Sequence, residues 1–320
     1  MTIVITGSIG FDYIMTFPGR FKDHILPDQI DKLSLSFLVD SMRLERGGCA
    51  PNIAYNLALL GEKPRIMGTV GEDFSEYRAW LEEHGIDTST IMNIKGECTA
   101  SFFVSTDLDQ NQIASFYTGA MRYAHILSFK DQNHKDIRLT IISPNDPQAM
   151  VKYPRECREL GIPFIYDPSQ QIVRLSAEEL VDGMRGAEVL VVNEYEFELV
   201  KDKTGLSERG ILELSETLIV TKGAGGSAII GPDFELDIPA VPPRRIVDPT
   251  GIGDAYRAGI IKGMVRGYSW EMTGRIASLA ATYALEEFGT QNHRYSREEF
   301  IARYKENFGP AEELEDLLES

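Results

Sequence analysis

Between about residues 139 and 200, short apolar segments alternate with longer segments in which apolar residues recur every three or four positions. The short segments have the length of buried strands and the longer ones have the period of helices. Regular alternation of this kind is typical of a parallel sheet, because each connection between parallel strands has to cross the sheet. We therefore predict a three-layer α/β/α fold with a doubly wound, mainly parallel sheet. The expected strands are 140–143, 164–166 and 189–192, and the expected helices are 148–160, 177–184 and 195–200.

The rest of the chain follows the same pattern with two interruptions. The stretch at about 13–46 has short alternating pieces and no long helix, which indicates an insertion, and 98–117 alternates like a hairpin. No repeat, low-complexity tract or linker divides the chain, so its 320 residues are expected to form a single domain. The other expected elements are strands at 65–70, 218–221 and 227–230, helices at 51–60 and 74–84, and helices beginning near residues 253, 270 and 297.

Composition excludes several classes of protein. The formal net charge of −17 is not offset by any cluster of Lys and Arg, which argues against nucleic-acid binding. Cys49, Cys98 and Cys157 are widely spaced without a C-x-x-C pair, which argues against disulfides and a zinc cluster. No segment reaches membrane-spanning length, and the first residues lack the basic start of a signal peptide. We expect a cytoplasmic protein with neither nucleic-acid nor membrane partners.

The segment 248–259 combines a glycine turn, a carboxylate and the start of a helix. Apolar residues recur at helical spacing after Gly253, so the unpaired N–H groups of a first helical turn are expected beside Gly251 and Gly253. Such a helix end attracts phosphate. Asp254 then has two interpretations. It compensates the helix dipole, or it is a general base that takes a proton from a hydroxyl group attacking a phosphoryl group.

This segment, D-P-T-G-I-G-D-A-Y-R-A-G, resembles the C-terminal signature of the ribokinase-like carbohydrate and nucleoside kinases, the PfkB family. The stretch G-G-C-A-P-N-I-A at 47–54 is similar to the family's N-terminal signature. The resemblance covers essentially the whole chain and implies a kinase that uses ATP and Mg²⁺. It also implies a small β-sheet lid, formed by about 13–46 and 97–120, that closes over the acceptor. The residues that match the family's base and anion hole are Asp254 and Gly251, Ile252 and Gly253.

The same resemblance suggests where the nucleotide and ions bind. Asn193 and Glu196 match the family's N-x-x-E motif, which is associated with phosphate and magnesium. Carboxylate groups usually hold magnesium through water, so we expect Glu196 to act on the ion through water. A helix cap is the alternative interpretation of the same two residues. The segment 221–226 resembles a nucleotide-binding loop, although a simple hairpin turn has a similar composition. Asp248 and the segment Gly289-Thr290-Gln291 resemble positions that surround a potassium ion in many relatives. The residues expected to bind the nucleotide are Asn193, Thr221, Lys222, Gly223, Ala224, Gly225 and Gly226.

Several stretches, among them S-L-S-F-L-V-D at 34–40 and D-P-S-Q-Q at 167–171, look like the bacterial adenosine kinases of the mycobacterial type within this family. That resemblance implies transfer to the 5′-hydroxyl group of adenosine, two lid phenylalanines around the purine, and a homodimer formed through the lid. A sugar acceptor such as ribose or fructose, a catalytically silent binding protein, and phenylalanines that only fill the lid stay open as alternatives. The expected acceptor-binding residues are Ser8, Asp12, Ser36, Gly48, Asn52, Phe102, Phe116, Gln170 and Gln171.

Overall fold

The computed structural model describes residues 1–25, 31–32, 34–310 and 312–317. Its strands are β1 Thr2–Thr6, β2 Gly10–Thr16, β3 Ser41–Gly47, β4 Arg65–Val70, β5 Asp87–Asn93, β6 Ala100–Thr106, β7 Gln112–Tyr117, β8 Ile137–Ile142, β9 Phe164–Tyr166, β10 Ala187–Asn193, β11 Ser215–Thr221, β12 Ser227–Gly231 and β13 Phe234–Ile238. Its α-helices are α1 Cys49–Leu59, α2 Ser75–Glu83, α3 Pro147–Leu160, α4 Ala177–Met184, α5 Glu194–Thr204, α6 Glu208–Leu212, α7 Ile252–Arg266, α8 Trp270–Leu285 and α9 Arg297–Phe308.

The main sheet has nine strands in the order β13-β12-β11-β10-β9-β8-β1-β4-β5. The strands from β11 to β5 in that order are parallel, and β12 and β13 pair antiparallel at one edge. From β1 the chain first builds the side with β4 and β5 and then the side with β8 to β13. The predicted doubly wound, mainly parallel sheet is therefore confirmed.

Helices cover both faces of this sheet because successive residues of each strand point to opposite sides. In β10, Val189 and Val191 pack with apolar residues of α1, α2, α7 and α8, whereas Leu190 and Val192 pack with those of α3 to α6. The resulting three layers place the amino ends of α1 and α7 on one side of the sheet, next to the carboxyl ends of the parallel strands.

A second sheet of four strands, in the order β3-β2-β6-β7, forms the lid. In it β2 pairs antiparallel with β3 and parallel with β6, and β6 pairs antiparallel with β7. One face of this lid sheet contacts the segment after α8. The guanidinium group of Arg43 lies 3.6 Å from the centre of the Phe288 ring, and Asn292 Nδ2 donates to Glu45 Oε2 at 3.1 Å. This face is turned toward the amino end of α7.

Several elements differ from the sequence prediction. The strands β5 and β13 were missed because both lie at edges of the main sheet, where polar residues alternate with apolar ones and no apolar run forms. The helix α6 has only five residues, too few for a periodic pattern. Residues 26–30 and 33 of the expected insertion lie outside the described residues. In the part of the chain that is described, no helix is long and apolar enough to cross a membrane.

Candidate active site

Residues from distant parts of the sequence meet at the carboxyl edge of the main sheet. Ser8 follows β1, and its Oγ accepts a hydrogen bond from the backbone N–H of Cys49 at the start of α1 at 3.1 Å. Asn52 in α1 donates from Nδ2 to Asp254 Oδ2 at 2.8 Å, although 202 positions separate the two residues. The two sequence signatures are thus joined directly at one site.

Asp254 lies in the first turn of α7 and is held by a chain of amide contacts. The Asn52 side chain is buried, and its Oδ1 accepts from Gln291 Nε2 at 2.6 Å, which fixes the direction of its amide group. Burial raises the pKa of Asp254 to about 7, while the Arg257 guanidinium and the Asn52 hydrogen bond oppose the rise. A carboxyl group with a pKa near neutrality is well suited to accept and release a proton.

The turn before α7 exposes backbone where an anion can bind. Gly251 caps the helix with a φ of 81°, in the left-handed region that favours glycine. A Cβ atom on Gly253 would lie 2.6 Å from Arg257 Nη1, so a larger residue would push the arginine away. The N–H groups of a first helical turn have no partner within the helix, so those near Ile252 and Gly253 are available to a ligand.

One row of side chains crosses the lid sheet on the face turned toward α7. Asp12 of β2 pairs with Glu45 of β3 and with Phe102 of β6, and Phe102 pairs with Phe116 of β7. Directly paired residues point to the same face, so the carboxyl group and both rings stand side by side. Phe116 is 49% exposed. Burial, with the charges of Glu45 and Asp248, raises the pKa of Asp12 to about 6.

The glycine pair before α1 is required by close packing. A Cβ atom on Gly47 would lie 2.5 Å from Asp12 Oδ2. Gly48 has a φ of 95°, and a Cβ atom there would lie 2.6 Å from the carbonyl oxygen of Ser8. The two glycines therefore let the lid strands approach the end of β1 and leave the Asp12 carboxyl group beside α1.

The other expected acceptor-binding residues differ in their surroundings. Gln171 is buried, and none of the described residues gives its Oε1 a hydrogen bond. Gln170 is exposed in the same loop after β9. Ser36 is exposed in the irregular segment before β3, and no hydrogen bond between described residues links it to Asp12 or Asp254. Gln171 is thus the one of these three with an unused buried acceptor.

Asn193 and Glu196 form a helix cap at the start of α5. Asn193 Oδ1 accepts from the Glu196 N–H at 2.8 Å, and Glu196 Oε2 accepts from the Asn193 N–H at 2.9 Å. Glu196 Oε1 also accepts from Ser169 Oγ at 3.1 Å. Among the described residues, no group of three or more His, Cys, Asp or Glu side chains could hold a metal ion. A single carboxylate and an amide, as in Glu196 and Asn193, fit a magnesium ion that would keep its water and take most of its ligands from phosphate oxygens.

The segment 221–226 is the turn between β11 and β12. Gly223, Ala224 and Gly225 are exposed, and a Cβ atom on Gly226 would collide with the carbonyl oxygen of Ile238. Thr221 ends β11 and is half-buried. Lys222 is less free than its sequence suggests, because Nζ donates to Asp237 Oδ1 at 2.9 Å.

Asp248 is buried and fastens the turn before α7 to the segment after α8. Its Oδ1 accepts from the Thr250 N–H at 2.9 Å, and its Oδ2 accepts from the Gly289 N–H at 3.1 Å. Both carboxylate oxygens therefore accept hydrogen bonds from backbone N–H groups. The predicted potassium contact stays a prediction.

Sequence reasoning gave no role at this site to Tyr77, Arg257 and Asp167, and it placed Gln291 only near the predicted potassium ion. Tyr77 accepts a hydrogen bond from Gln291 Nε2 at 2.6 Å and supports the amide chain behind Asn52. Arg257 Nη2 donates to Asp167 Oδ1 at 2.7 Å in a buried ion pair. The spacing of three residues between Asp254 and Arg257 is a usable signal, since it places both on one side of α7. Nothing in the sequence indicates the Tyr77 contact.

The fold and the geometry of the site suit a phosphotransferase, and comparison with known proteins identifies the family. The model of the pfkB family of carbohydrate kinases matches residues 11–296, so the chain belongs to this family and is a kinase. The nucleoside kinase of Methanothermobacter thermautotrophicus is 32% identical over 310 residues, which cover 96% of each chain.

Two solved structures are similar over nearly the whole chain. The nucleoside kinase of Burkholderia thailandensis in complex with inosine is 40% identical, with a TM-score of 0.87, covering 97% of this chain and 99% of the other. The nucleoside kinase of Methanocaldococcus jannaschii, described as an archaeal member of the ribokinase family, is 28% identical with a TM-score of 0.87, covering 96% and 99%. The predicted ribokinase-like fold with its lid is confirmed.

Proposed function

We propose that this kinase transfers the γ-phosphoryl group of ATP to the 5′-hydroxyl group of a nucleoside, and that adenosine is its acceptor. The relatives with 32% and 40% identity are both nucleoside kinases, and the second binds inosine, also a purine nucleoside. The Burkholderia enzyme has also been solved in complex with ADP-inosine, which supports an adenine nucleotide as the donor.

The observation that carries this proposal is the row Asp12, Phe102 and Phe116 on the inner face of the lid sheet. A carboxylate accepts hydrogen bonds from the vicinal hydroxyl groups of a ribose. The two rings beside it can stack on a purine base, an interaction that a free sugar cannot make. A nucleoside has both parts, in the order in which these side chains stand along the row.

Asp254 acts as the general base in this mechanism. It takes the proton from the 5′-hydroxyl group while that oxygen forms a bond to the γ-phosphorus, and the bond from the γ-phosphorus to the bridging oxygen breaks to release ADP. The N–H groups of Gly251, Ile252 and Gly253 stabilise the charge on the phosphoryl oxygens. Asn52 keeps the carboxylate in position, Gly48 leaves room for the ribose, and Ser8, Ser36, Gln170 and Gln171 contact the nucleoside.

The donor nucleotide lies along the ends of β10 and β11. The exposed turn at 221–226 lets the backbone approach the nucleotide, and Asn193 contacts its phosphates. Glu196 would hold a magnesium ion through water, and the ion would offset the charge of the phosphates when bound. A potassium ion near Asp248 would order the segment that carries the anion site.

The outer face of the lid sheet suits a second copy of this chain. It exposes Met42, Leu44, Phe103 and Ile113, which stand on the opposite side from the row with Asp12. Contiguous apolar side chains on a surface mark a contact site. We therefore propose a homodimer through the lid.

The acceptor assay tests the function. ADP release is measured with adenosine, inosine, guanosine, cytidine, ribose and fructose, and adenosine is expected to give the highest kcat/KM. If inosine is the best acceptor, the preferred nucleobase is hypoxanthine and not adenine, and the enzyme is still a nucleoside kinase. A better rate with ribose or fructose would replace this function by that of a sugar kinase, and no turnover with any acceptor would leave a silent binding protein.

A further inference from the structure

The ion pair between Arg257 and Asp167 is buried next to the general base. The Arg257 side chain is 11% exposed and that of Asp167 is 1% exposed. Arg257 Nη2 donates to Asp167 Oδ1 at 2.7 Å, and Nε also contacts Asp167 Oδ2. Burying two charges costs desolvation energy, and apolar residues in their place are often as stable or more so. Stability alone therefore does not account for this pair.

The remaining nitrogen of the guanidinium group faces the anion site. Arg257 Nη1 lies so close to Gly253 that a Cβ atom on the glycine would be 2.6 Å away. No hydrogen bond between residues of the described chain uses Nη1. The group therefore has two nitrogens fixed by a carboxylate and a third directed at the turn where a phosphoryl group would bind.

Asp167, the ion-pair partner of Arg257, lies next to residues that are expected to bind the acceptor. It directly follows β9 and begins the loop that carries Gln170 and Gln171. The pair therefore connects α7, which holds the base, with the loop that faces the nucleoside. It also sets the orientation of the guanidinium group before any ligand binds, so no reorganisation is needed during the reaction.

We propose that Arg257 is a catalytic residue that donates from Nη1 to the phosphoryl group during its transfer, and that Asp167 is the positioning residue that holds the guanidinium group in place. This inference rests on the proposed function. Negative charge is spread over the phosphoryl oxygens in the transition state, and a fixed arginine in a site shielded from water stabilises that charge. The backbone N–H groups of the turn bind the same oxygens from the helix side.

Arg257→Met removes the positive charge but keeps a side chain of similar length. Arg257→Lys keeps the charge but lacks the planar set of N–H donors of the guanidinium group. An arginine acting in this way typically contributes about 10³- to 10⁵-fold to kcat; because Asp167 offsets part of the charge here, we expect a loss of about 10²- to 10³-fold in Arg257→Met. Arg257→Lys should recover part of that loss. Arg266→Met is the matched control, since Arg266 lies at the other end of α7 in an ion pair with Glu62, and its kcat should stay near that of the parent.

A double variant, Arg257→Met with Asp167→Leu, separates catalysis from folding. It removes the buried Asp167 carboxylate that Arg257→Met alone leaves without its partner, so its melting temperature should return toward that of the parent while kcat stays low. If kcat recovers together with the melting temperature, the pair is structural and the inference is wrong. The inference is equally wrong if the kcat of Arg257→Met stays within about threefold of the parent value, because that loss is far smaller than the one expected.

The pH profile shows whether the charge of Arg257 acts at the position of the base. The charged and titratable groups around Asp254 are Arg257, Asp167, Asp12, Cys49 and Tyr77. Arg257 opposes the rise in the Asp254 pKa and Asp167 adds to it, so the acid limb of kcat/KM should move to higher pH in Arg257→Met and less far in the double variant. An unmoved limb contradicts the inference. Asp254→Asn is measured in parallel: if it retains turnover the proposed function fails, whereas its inactivity beside an active Arg257→Met overturns only the role of Arg257.

Discussion

Truncating the two lid phenylalanines should separate nucleoside recognition from phosphoryl transfer. Phe102 and Phe116 are paired across β6 and β7 on the face that carries Asp12. Stacking of a base on an aromatic side chain is worth about 1–3 kcal/mol by alanine substitution. Each Phe→Ala change should therefore lower kcat/KM for adenosine about 5- to 150-fold, since about 1.4 kcal/mol corresponds to a factor of ten.

The structure makes Phe116 the cleaner of the two positions. Phe116 is 49% exposed and lies on the outermost lid strand, so its truncation removes little packing within the protein. Phe102 is half-buried between two neighbouring strands, and its loss also leaves a gap in the lid. We therefore expect Phe116→Ala to lower kcat/KM with little change in melting temperature, and Phe102→Ala to lower both.

The assay follows ADP release with adenosine and with ribose for the parent and each variant. Ribose has no base, so any slow transfer to it should change far less than transfer to adenosine. Phe103→Ala is the control, because Phe103 is the next residue on β6, points to the opposite face and stacks on Tyr13 with ring centres 4.6 Å apart. Equal losses on adenosine and ribose would refute the reasoning and make both rings structural parts of the lid.

Three further predictions concern stability, ions and assembly. Burial raises the pKa of Asp254 from its ordinary value of 3.8 to about 7, so between these pH values the folded state keeps a proton that the unfolded state has lost, and the stability that this group contributes falls as pH rises. Asp254→Asn should therefore raise the melting temperature more at about pH 8 than at about pH 5, and an equal change at both would contradict the shift. Potassium should raise kcat over sodium at matched ionic strength if an ion orders the segment around Asp248, and equal rates would remove that site. Leu44→Glu, which places a charge on the apolar outer face of the lid, should convert a dimer into monomers in sedimentation analysis, whereas a parent that is already monomeric contradicts the proposed dimer.

Much of the fold was predictable because local signals and tertiary packing agree. Strand 164–166 is a fully buried apolar run, and helix 177–184 is capped by Ser176, which forms a capping box with Glu179. The edge strands β5 and β13 were not predictable, since half of their side chains face solvent and their pairing depends on a neighbour distant in sequence.

The residues of the candidate site also differ in how far the sequence predicts them. Asp254 and the glycines beside it stand in one short segment whose pattern indicates an anion-binding helix start. The placement of Asp12 beside Phe102 depends on the strand register of the lid, which two separate stretches of sequence do not display. The contact between Arg257 and Asp167 spans 90 positions and forms only when α7 packs against the end of β9.

The most direct test of the central claim is the turnover of Asp254→Asn. The change keeps the size of the side chain and removes its basicity, so kcat should fall by several orders of magnitude while the calorimetric affinity for adenosine stays close to that of the parent. Asn52→Ala is a useful companion, because it leaves the base in place but removes the hydrogen bond that holds it, and should give a smaller loss. Near-parental turnover in Asp254→Asn would show that Asp254 is not the base and would contradict the proposed mechanism.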